Sequence, residues 1–144
     1  MYIFDLDGTL ADCTHRLKYI QDKVKDWDKF HKECVNDLPI EYTIDMLNHL
    51  ADSEDITIVT GRNDSVRAET EAWLAKHDVH YTWLAMRTSE DRRLDYVFKK
   101  EWLEGYRKDF PEDDIIGVFE DRQQVVDMWR EEGLICYQVN RGDF

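Results

Sequence analysis

The sequence lacks any long apolar run. Its 144 residues contain no stretch near the roughly 20 consecutive apolar residues that a membrane-spanning helix needs. The first apolar stretch is interrupted by Asp5 almost at once, which also argues against a secretory signal peptide. We therefore expect a soluble protein that has no membrane partner.

Cysteine is scarce and shows none of the spacing that metal sites or disulfide frameworks use. Cys13, Cys34 and Cys136 are odd in number and form no CxxC pair. The 5 histidines form no ligand cluster in the sequence either. This usage argues against a zinc site and a disulfide framework, and it predicts a reducing compartment, the cytoplasm.

Basic residues are in deficit, with 19 lysines and arginines against 32 aspartates and glutamates and a net charge of -13. So acidic a chain repels nucleic-acid backbones and anionic membranes at long range, which argues against a protein that coats polyanions. A local basic pocket for a single phosphate is still compatible with it. The sequence also contains no GxGxxG, GxxxxGK(S/T) or GxSxG motif, so dinucleotide binding, P-loop ATP hydrolysis and serine-ester hydrolysis have no support.

What the chain does contain is enough apolar material for one packed domain over residues 1–144. Apolar residues make up 42%, with 5 Trp, 7 Tyr and 6 Phe. The predicted strands cover residues 1–4, 56–60, 81–86, 115–119 and 134–139, and the predicted helices lie within 16–50, after Asn63, over 91–108 and after Asp121. Strand–helix alternation without an internal repeat predicts a doubly wound, mostly parallel α/β sheet.

Polar residues follow three of these strands at the point where each one ends. They are Asp5 and Asp7, then Thr60, Gly61 and Arg62, then Glu120 and Asp121. The carboxyl ends of parallel strands meet at one edge of a sheet, where such folds bind ligands. We therefore expect these side chains to form one site.

Paired carboxylates at a strand end suit phosphoryl transfer. One carboxylate can attack phosphorus and form an aspartyl-phosphate, while a second acid one residue away protonates the leaving oxygen and later activates water. Carboxylates from two strands can hold Mg²⁺, which prefers oxygen ligands. The Thr60 hydroxyl and a lysine would bind the nonbridging oxygens of the phosphate. The pattern predicts a phosphoryl-transfer site with Mg²⁺ as its cofactor.

Four stretches of the chain resemble the motifs of the haloacid-dehalogenase-like (HAD) phosphohydrolases. They are FDLDGT at 4–9, ITIVT at 56–60, a lysine on a later helix, and Glu120-Asp121, in the order of the family's first to fourth motifs. The resemblance implies that Asp5 is the nucleophile and Asp7 the general acid/base. It also implies that the Asp5 carboxylate, the Asp7 backbone carbonyl and Asp121 hold Mg²⁺. The expected fold is HAD-like Rossmannoid, with a small helical cap or flap within about 12–40.

Further stretches resemble the 3′-phosphatase domain of phage polynucleotide kinase/phosphatases. They are TGR at 60–62, DYVFK at 95–99, EDRQQVVDMWR at 120–130, the Gly133 turn, CYQV at 136–139 and GDF at 142–144. By this resemblance Lys99 and Thr60 are catalytic, and Arg16, Gly61, Arg62 and Asp95 bind the substrate. If a phage encodes the chain, the host cytoplasm is its expected location.

The spacing within these stretches adds two expectations. Asp95 and Lys99 are four residues apart and share a helical face, which favours Lys99 over its neighbour Lys100 as the catalytic lysine. Glu120 stands where the resembling enzyme has a second aspartate, so we expect it beside the metal ligands rather than among them. With no P-loop and nothing before Met1, phosphate removal alone is expected.

The substrate is less defined than the chemistry. The leading hypothesis is removal of a 3′-phosphate from polynucleotide ends or nucleotides, because a small flap leaves room for a nucleic-acid terminus. The alternatives are a 5′-(deoxy)nucleotidase acting on nucleoside monophosphates, which the net charge favours, and a non-catalytic phosphate-responsive module. Oligomeric state is open, and a homo-oligomer is compatible with the sequence.

The tryptophans divide into two groups. Trp73, Trp102 and Trp129 stand at apolar helical positions, which predicts packing in the core rather than stacking on bases. Trp27 and Trp83 follow neither pattern clearly, and their roles are left open.

Overall fold

The computed structural model describes residues 1–142 and 144, so Asp143 of the C-terminal GDF stretch lies outside the described residues. The strands are β1 (Tyr2–Phe4), β2 (Ala11–Asp12), β3 (Leu38–Pro39), β4 (Ile56–Asn63), β5 (Trp83–Arg87), β6 (Gly117–Glu120) and β7 (Cys136–Gln138). The α-helices are α1 (Lys18–Gln21), α2 (Trp27–Lys32), α3 (Glu41–Ala51), α4 (Arg67–Lys76), α5 (Asp95–Asp109) and α6 (Gln123–Glu131). Short 3₁₀ helices cover Thr14–Arg16, Glu33–Asn36 and Asp64–Val66.

Five of the strands form one parallel sheet in the order β5-β4-β1-β6-β7. The central β1 is only three residues long, and it pairs with β4 on one side and β6 on the other. The residues of β4 from Ile56 to Thr60 are all buried, as expected for a strand covered on both faces. The predicted doubly wound, mostly parallel α/β fold is confirmed.

The sheet is covered by helices on both faces. Phe4 packs in one apolar cluster with residues of α3 and α4, including Leu47 and Trp73. Its neighbour Ile3 points the opposite way and packs with residues of α5 and α6, including Leu103 and Trp129. Among the described residues, no helix has the length and apolar character needed to cross a membrane.

A second, two-stranded sheet follows the first strand. Here β2 and β3 pair antiparallel, with Ala11 opposite Pro39 and Asp12 opposite Leu38. Between them the chain forms two 3₁₀ helices and the short helices α1 and α2. Asp26 caps α2, since its carboxylate accepts a hydrogen bond from the Lys29 amide at 3.0 Å. We refer to residues 13–37 as the cap segment.

Several element boundaries differ from the sequence-based expectation, and the largest differences are at β4 and α5. β4 continues to Asn63, three residues past the predicted end, because pairing with β5 resumes at Asn63 and Arg87 after an irregularity. Helix α5 begins at Asp95 rather than near Asp91. The Asp91 carboxylate accepts a hydrogen bond from the Arg93 amide at 3.0 Å, and such a local turn competes with helix formation.

Candidate active site

The strand pairing brings the polar strand ends together. Phe4 is in register with Ile58 of β4 and Phe119 of β6, so the residues that follow the three strands emerge at the same edge. Five of the predicted site residues there are buried with at most 5% exposure, namely Asp5, Thr60, Arg62, Glu120 and Asp121. Buried polar groups of this kind need partners or a ligand.

Lys99 is the cation of this cluster. It lies on α5 with no exposed surface, and its Nζ is 2.7 Å from Asp5 Oδ1 and 2.8 Å from Glu120 Oε2. Asp95, one helical turn earlier, contributes a third contact at 3.2 Å. Burial works against a charged amine, but these carboxylates outweigh it and hold the pKa of Lys99 well above its usual value. Lys100, by contrast, is exposed and pairs with Glu132 at 2.7 Å.

One lysine does not neutralise the acids around it. Burial, together with the Glu120 carboxylate, raises the pKa of Asp5 to about 7 against the opposing effect of Lys99. Burial, with Asp5 and Glu120 beside it, raises the pKa of Asp121 to about 10. Asp121 Oδ1 is also buried without a hydrogen-bond partner among the described residues. The cluster therefore contains more carboxylates than cations, and one carboxylate oxygen of Asp121 has no hydrogen-bond partner among the described residues.

A metal ion fits that deficit. Asp5, Glu120 and Asp121 each offer a carboxylate oxygen, and these oxygens lie within 4.8 Å of one another. An all-oxygen set of this kind suits a hard divalent cation. The Asp7 side chain does not belong to this set, so its expected metal contact, which uses the backbone carbonyl, stays a prediction.

Asp7 faces two arginines instead. Its Oδ1 accepts hydrogen bonds from Arg16 Nη2 at 2.6 Å and from Arg62 Nη2. Burial alone would raise the pKa of Asp7, but the two guanidinium groups outweigh it and hold the pKa well below its usual range. Both arginines are themselves buried, at 0% and 2% exposure, so neither is a solvated surface charge.

Asp37 binds both arginines, and it was not predicted from the sequence as a site residue. It lies at the end of the cap segment, is 4% exposed, and accepts hydrogen bonds from Arg16 Nε and Nη2, both at 2.8 Å. It also contacts Arg62 Nη2 at 3.1 Å and His15 Nε2 at 2.7 Å. In the sequence Asp37 is one polar residue of a turn before a proline, and no local pattern distinguishes it from an exposed turn acid.

The last residues of β4 make close contacts. The Thr60 hydroxyl oxygen accepts a hydrogen bond from the Arg62 amide at 3.0 Å, at the point where the pairing with β5 is irregular. A Cβ at Gly61 would stand 2.2 Å from Asp95 Oδ1, so this position has no room for a side chain. Asp95 also pairs with Arg87 at 3.3 Å. The structure therefore brings together all of the predicted site residues, in two linked groups around Lys99 and around Asp7.

A cavity of about 680 Å³ opens above both groups. Its lining includes Asp5, Asp7 and Thr60 together with the exposed residues Trp27 and Arg92. The volume lies in the range of roughly 300–1,000 Å³ that is usual for small-molecule sites.

The whole chain, residues 1–144, matches the family model described as the polynucleotide kinase PNKP phosphatase domain. The chain belongs to the PNKP phosphatase family. Its expected HAD-like, PNKP-related character is thereby confirmed, and the chain is an HAD-family phosphatase domain.

Two relatives of this PNKP phosphatase domain share about a third of its residues. A protein of Autographa californica nuclear polyhedrosis virus, assigned as a bifunctional polynucleotide kinase/RNA ligase, is 32% identical over 130 residues. That match covers 88% of this chain but 17% of the viral protein. A solved chain of the Pnkp1/Rnl/Hen1 RNA repair complex is 33% identical with a TM-score of 0.81, and the match covers 99% of this chain and 43% of that one. The domain thus spans less than half the length of these relatives.

More distant solved structures share the fold. An HAD-family enzyme of Bacteroides thetaiotaomicron, in complex with magnesium and inorganic phosphate, is 13% identical with a TM-score of 0.58. That match covers 99% of this chain and 95% of the other. At this identity the likeness is one of architecture.

Proposed function

We propose that this PNKP phosphatase domain is a Mg²⁺-dependent phosphomonoesterase that acts through an aspartyl-phosphate. Its proposed substrate is the 3′-phosphate of a polynucleotide end or nucleotide. The observation that carries the proposal is the buried Asp5 carboxylate. It lines the cavity, accepts a hydrogen bond from Lys99 and clusters with Asp121, whose Oδ1 has no partner among the described residues. The similarity to a viral polynucleotide kinase/RNA ligase and to a chain of an RNA repair complex supports the choice of nucleic-acid ends.

The proposed reaction has two steps on the same carboxylate. In the first, an Asp5 oxygen forms a bond to phosphorus as the ester P–O bond breaks, and Asp7 gives its proton to the departing alcohol. In the second, water gives a proton to Asp7 and attacks phosphorus, which releases inorganic phosphate and restores Asp5. The Thr60 hydroxyl, Lys99 and Arg62 bind the phosphate oxygens and balance their charge.

Asp7 needs a proton for the first step, although its two arginines favour the ionised form in the free enzyme. A phosphate in the cavity would compete for the hydrogens of Arg62, which lines the cavity, whereas Arg16 is fully buried and outside the lining. As the Arg62 hydrogens turn to the phosphate, the pKa of Asp7 rises toward the value that an acid catalyst needs. In this proposal Arg62 binds the substrate, and both arginines set the pKa of Asp7.

The residues that would hold Mg²⁺ are Asp5 and Asp121 through their side chains and Asp7 through its backbone carbonyl, with Glu120 orienting Lys99. Bound Mg²⁺ supplies positive charge that offsets the repulsion between these carboxylates and an incoming phosphate. The raised pKa of Asp121 and its unpartnered oxygen support this assignment.

The proposal predicts a defined pattern of phosphate release. With Mg²⁺, we expect release from oligonucleotides bearing a 3′-phosphate, and with EDTA a rate lower by about a hundredfold or more. The assay compares 3′- and 5′-phosphorylated oligonucleotides with nucleoside 3′- and 5′-monophosphates. The Asp5→Asn protein, purified identically, controls for a contaminating phosphatase. Preference for nucleoside 5′-monophosphates would replace the proposal with a nucleotidase, and no release from any substrate would favour a non-catalytic module.

A second prediction concerns the two glycines on either side of Asp121. A Cβ at Gly8, whose φ is +88°, would stand 2.1 Å from Asp121 Oδ2, and a Cβ at Gly142 would stand 2.2 Å from the same atom. Both clashes involve an oxygen of the proposed metal ligand. We expect Gly142→Ala to displace Asp121 and to raise the Mg²⁺ concentration for half-maximal activity by about 10- to 100-fold.

The control for this variant is Gly105→Ala. Gly105 lies in α5, and a Cβ there would meet nothing within 4 Å. This variant should keep the wild-type Mg²⁺ dependence and gain about 0.5–1 kcal/mol of stability from the better helix former. An unchanged Mg²⁺ titration for Gly142→Ala would contradict the placement of the ion at Asp121.

A further inference from the structure

One tryptophan of the cap segment lies in the catalytic cavity. Trp27 is 49% exposed, whereas Trp73 and Trp129 are 3% and 0% exposed in the core. It lines the same cavity as Asp5 and Asp7, and the exposed Val24 lines the wall beside it. Because Trp27 lines the site and is about half exposed, part of its aromatic surface is available to a flat apolar ligand group.

The position of this ring is fixed relative to the catalytic groups. Trp27 meets Phe30 edge to face with ring centroids 5.7 Å apart. Phe30 in turn lies under Arg16, whose guanidinium carbon is 4.3 Å from the centre of the ring. Arg16 donates to Asp7, so a continuous line of contacts joins the exposed ring to the acid that faces the leaving group.

The charge around the cavity differs from that of the chain. The lining includes six basic and six acidic residues, although the whole chain carries 19 basic against 32 acidic residues. Among the basic ones, Lys25 Nζ lies 5.7 Å from the centre of the Trp27 ring. Arg92 lines the cavity as well, and it forms no ion pair within residues 1–142 and 144. The cavity lining therefore lacks the acidic excess of the whole chain, and this balance, with Lys25 and Arg92 in the lining, suits an anion that enters beside the ring.

We propose that Trp27 is the platform on which the terminal base of the substrate stacks, with Lys25 and Arg92 beside the next phosphate of the strand. This inference rests on the proposed function and narrows its substrate to a polynucleotide end. Stacking on an aromatic side chain is sequence-tolerant, since every base has a π-face, and cations that follow the backbone accompany it in single-strand binding sites. The enzyme would therefore accept any terminal base but require one.

The test compares two oligonucleotides that bear a 3′-phosphate, one with a terminal base and one with an abasic terminal sugar. We expect wild-type kcat/KM to be about 5- to 100-fold higher with the base present. Trp27→Ala should bring this ratio close to one, and Trp27→Phe should keep part of it. Trp83→Ala is the matched control, because Trp83 is 53% exposed on β5 and does not line the cavity. It should keep the wild-type ratio.

A direct measure of stacking separates this role from a structural one. A 2-aminopurine base at the phosphorylated end should lose fluorescence on binding to Asp5→Asn protein, and the loss should disappear in the Asp5→Asn/Trp27→Ala double variant. An equal kcat/KM ratio in wild type and Trp27→Ala would contradict the assignment of Trp27 as the stacking platform. Unchanged fluorescence quenching in the double variant would contradict it as well. No release by wild type from any 3′-phosphorylated oligonucleotide, with release from nucleoside 3′-monophosphates, would also overturn the platform, whereas release from nucleoside 5′-monophosphates alone would overturn the proposed function.

Discussion

Replacing Asp5 by Asn should abolish turnover and leave the fold intact. The amide cannot form the phosphoenzyme, so we expect kcat to fall by about 10³-fold or more. Lys99 stays paired with Glu120 at 2.8 Å and Asp95 at 3.2 Å, and one of the mutually repelling carboxylates becomes neutral. The free energy of unfolding without metal should therefore be equal to or higher than that of wild type. Phosphate release and urea unfolding in EDTA measure the two quantities.

Asp45→Asn is the control for this variant. Asp45 is exposed on α3 and does not line the cavity, so its replacement should leave both turnover and stability near wild type. Wild-type turnover by Asp5→Asn, after a contaminating phosphatase has been excluded, would show that the nucleophile assignment is wrong.

Replacing Lys99 by Met should destabilise the fold. Methionine matches the length of the lysine stem but leaves Asp5, Asp95 and Glu120 without their shared cation in a buried cluster. Removing one partner of a buried ion pair costs about 3–5 kcal/mol. We expect the low end of this range, because a carboxylate with a raised pKa, such as Asp5, can take up a proton instead. Urea unfolding at neutral pH in EDTA measures the loss.

The adjacent lysine provides a matched control. Lys100 pairs with Glu132 on the surface, so Lys100→Met should change stability by no more than about 1 kcal/mol. The two variants remove the same charge from neighbouring positions of one helix and differ only in burial. Equal stability of Lys99→Met and Lys100→Met would mean that Lys99 does not neutralise the cluster.

Much of the fold and of the site could be predicted because both depend on local sequence patterns. Apolar runs such as 56–60 and the amphipathic helices determine which segments form the sheet and its layers. Polar residues at strand ends must then meet, since parallel strands share an edge. The choice of Lys99 over Lys100 needed only the helical spacing from Asp95, and the structure places Lys99 in the cluster and Lys100 at the surface.

What could not be predicted depends on contacts between distant segments. The two-residue strands β2 and β3 are too short for a periodic pattern, so their pairing becomes visible only in three dimensions. Asp37 contacts Arg16 and Arg62 because the pairing of β3 with β2 returns the chain to the edge of the main sheet. The exposure of Trp27 likewise depends on how the cap segment folds. The residue type alone does not determine this exposure.

The shared hydrogen bonds of Asp37 have a consequence for product release. Asp37 and Arg16 belong to the cap segment and Arg62 to β4, so these buried ion pairs fasten the segment to the sheet. A phosphate that draws the guanidinium hydrogens away weakens this attachment. By thermodynamic linkage, a closed segment must then weaken phosphate binding by the same factor. Under the proposed function, inorganic phosphate left in the site after hydrolysis would thus loosen the attachment of the cap segment and promote its own departure.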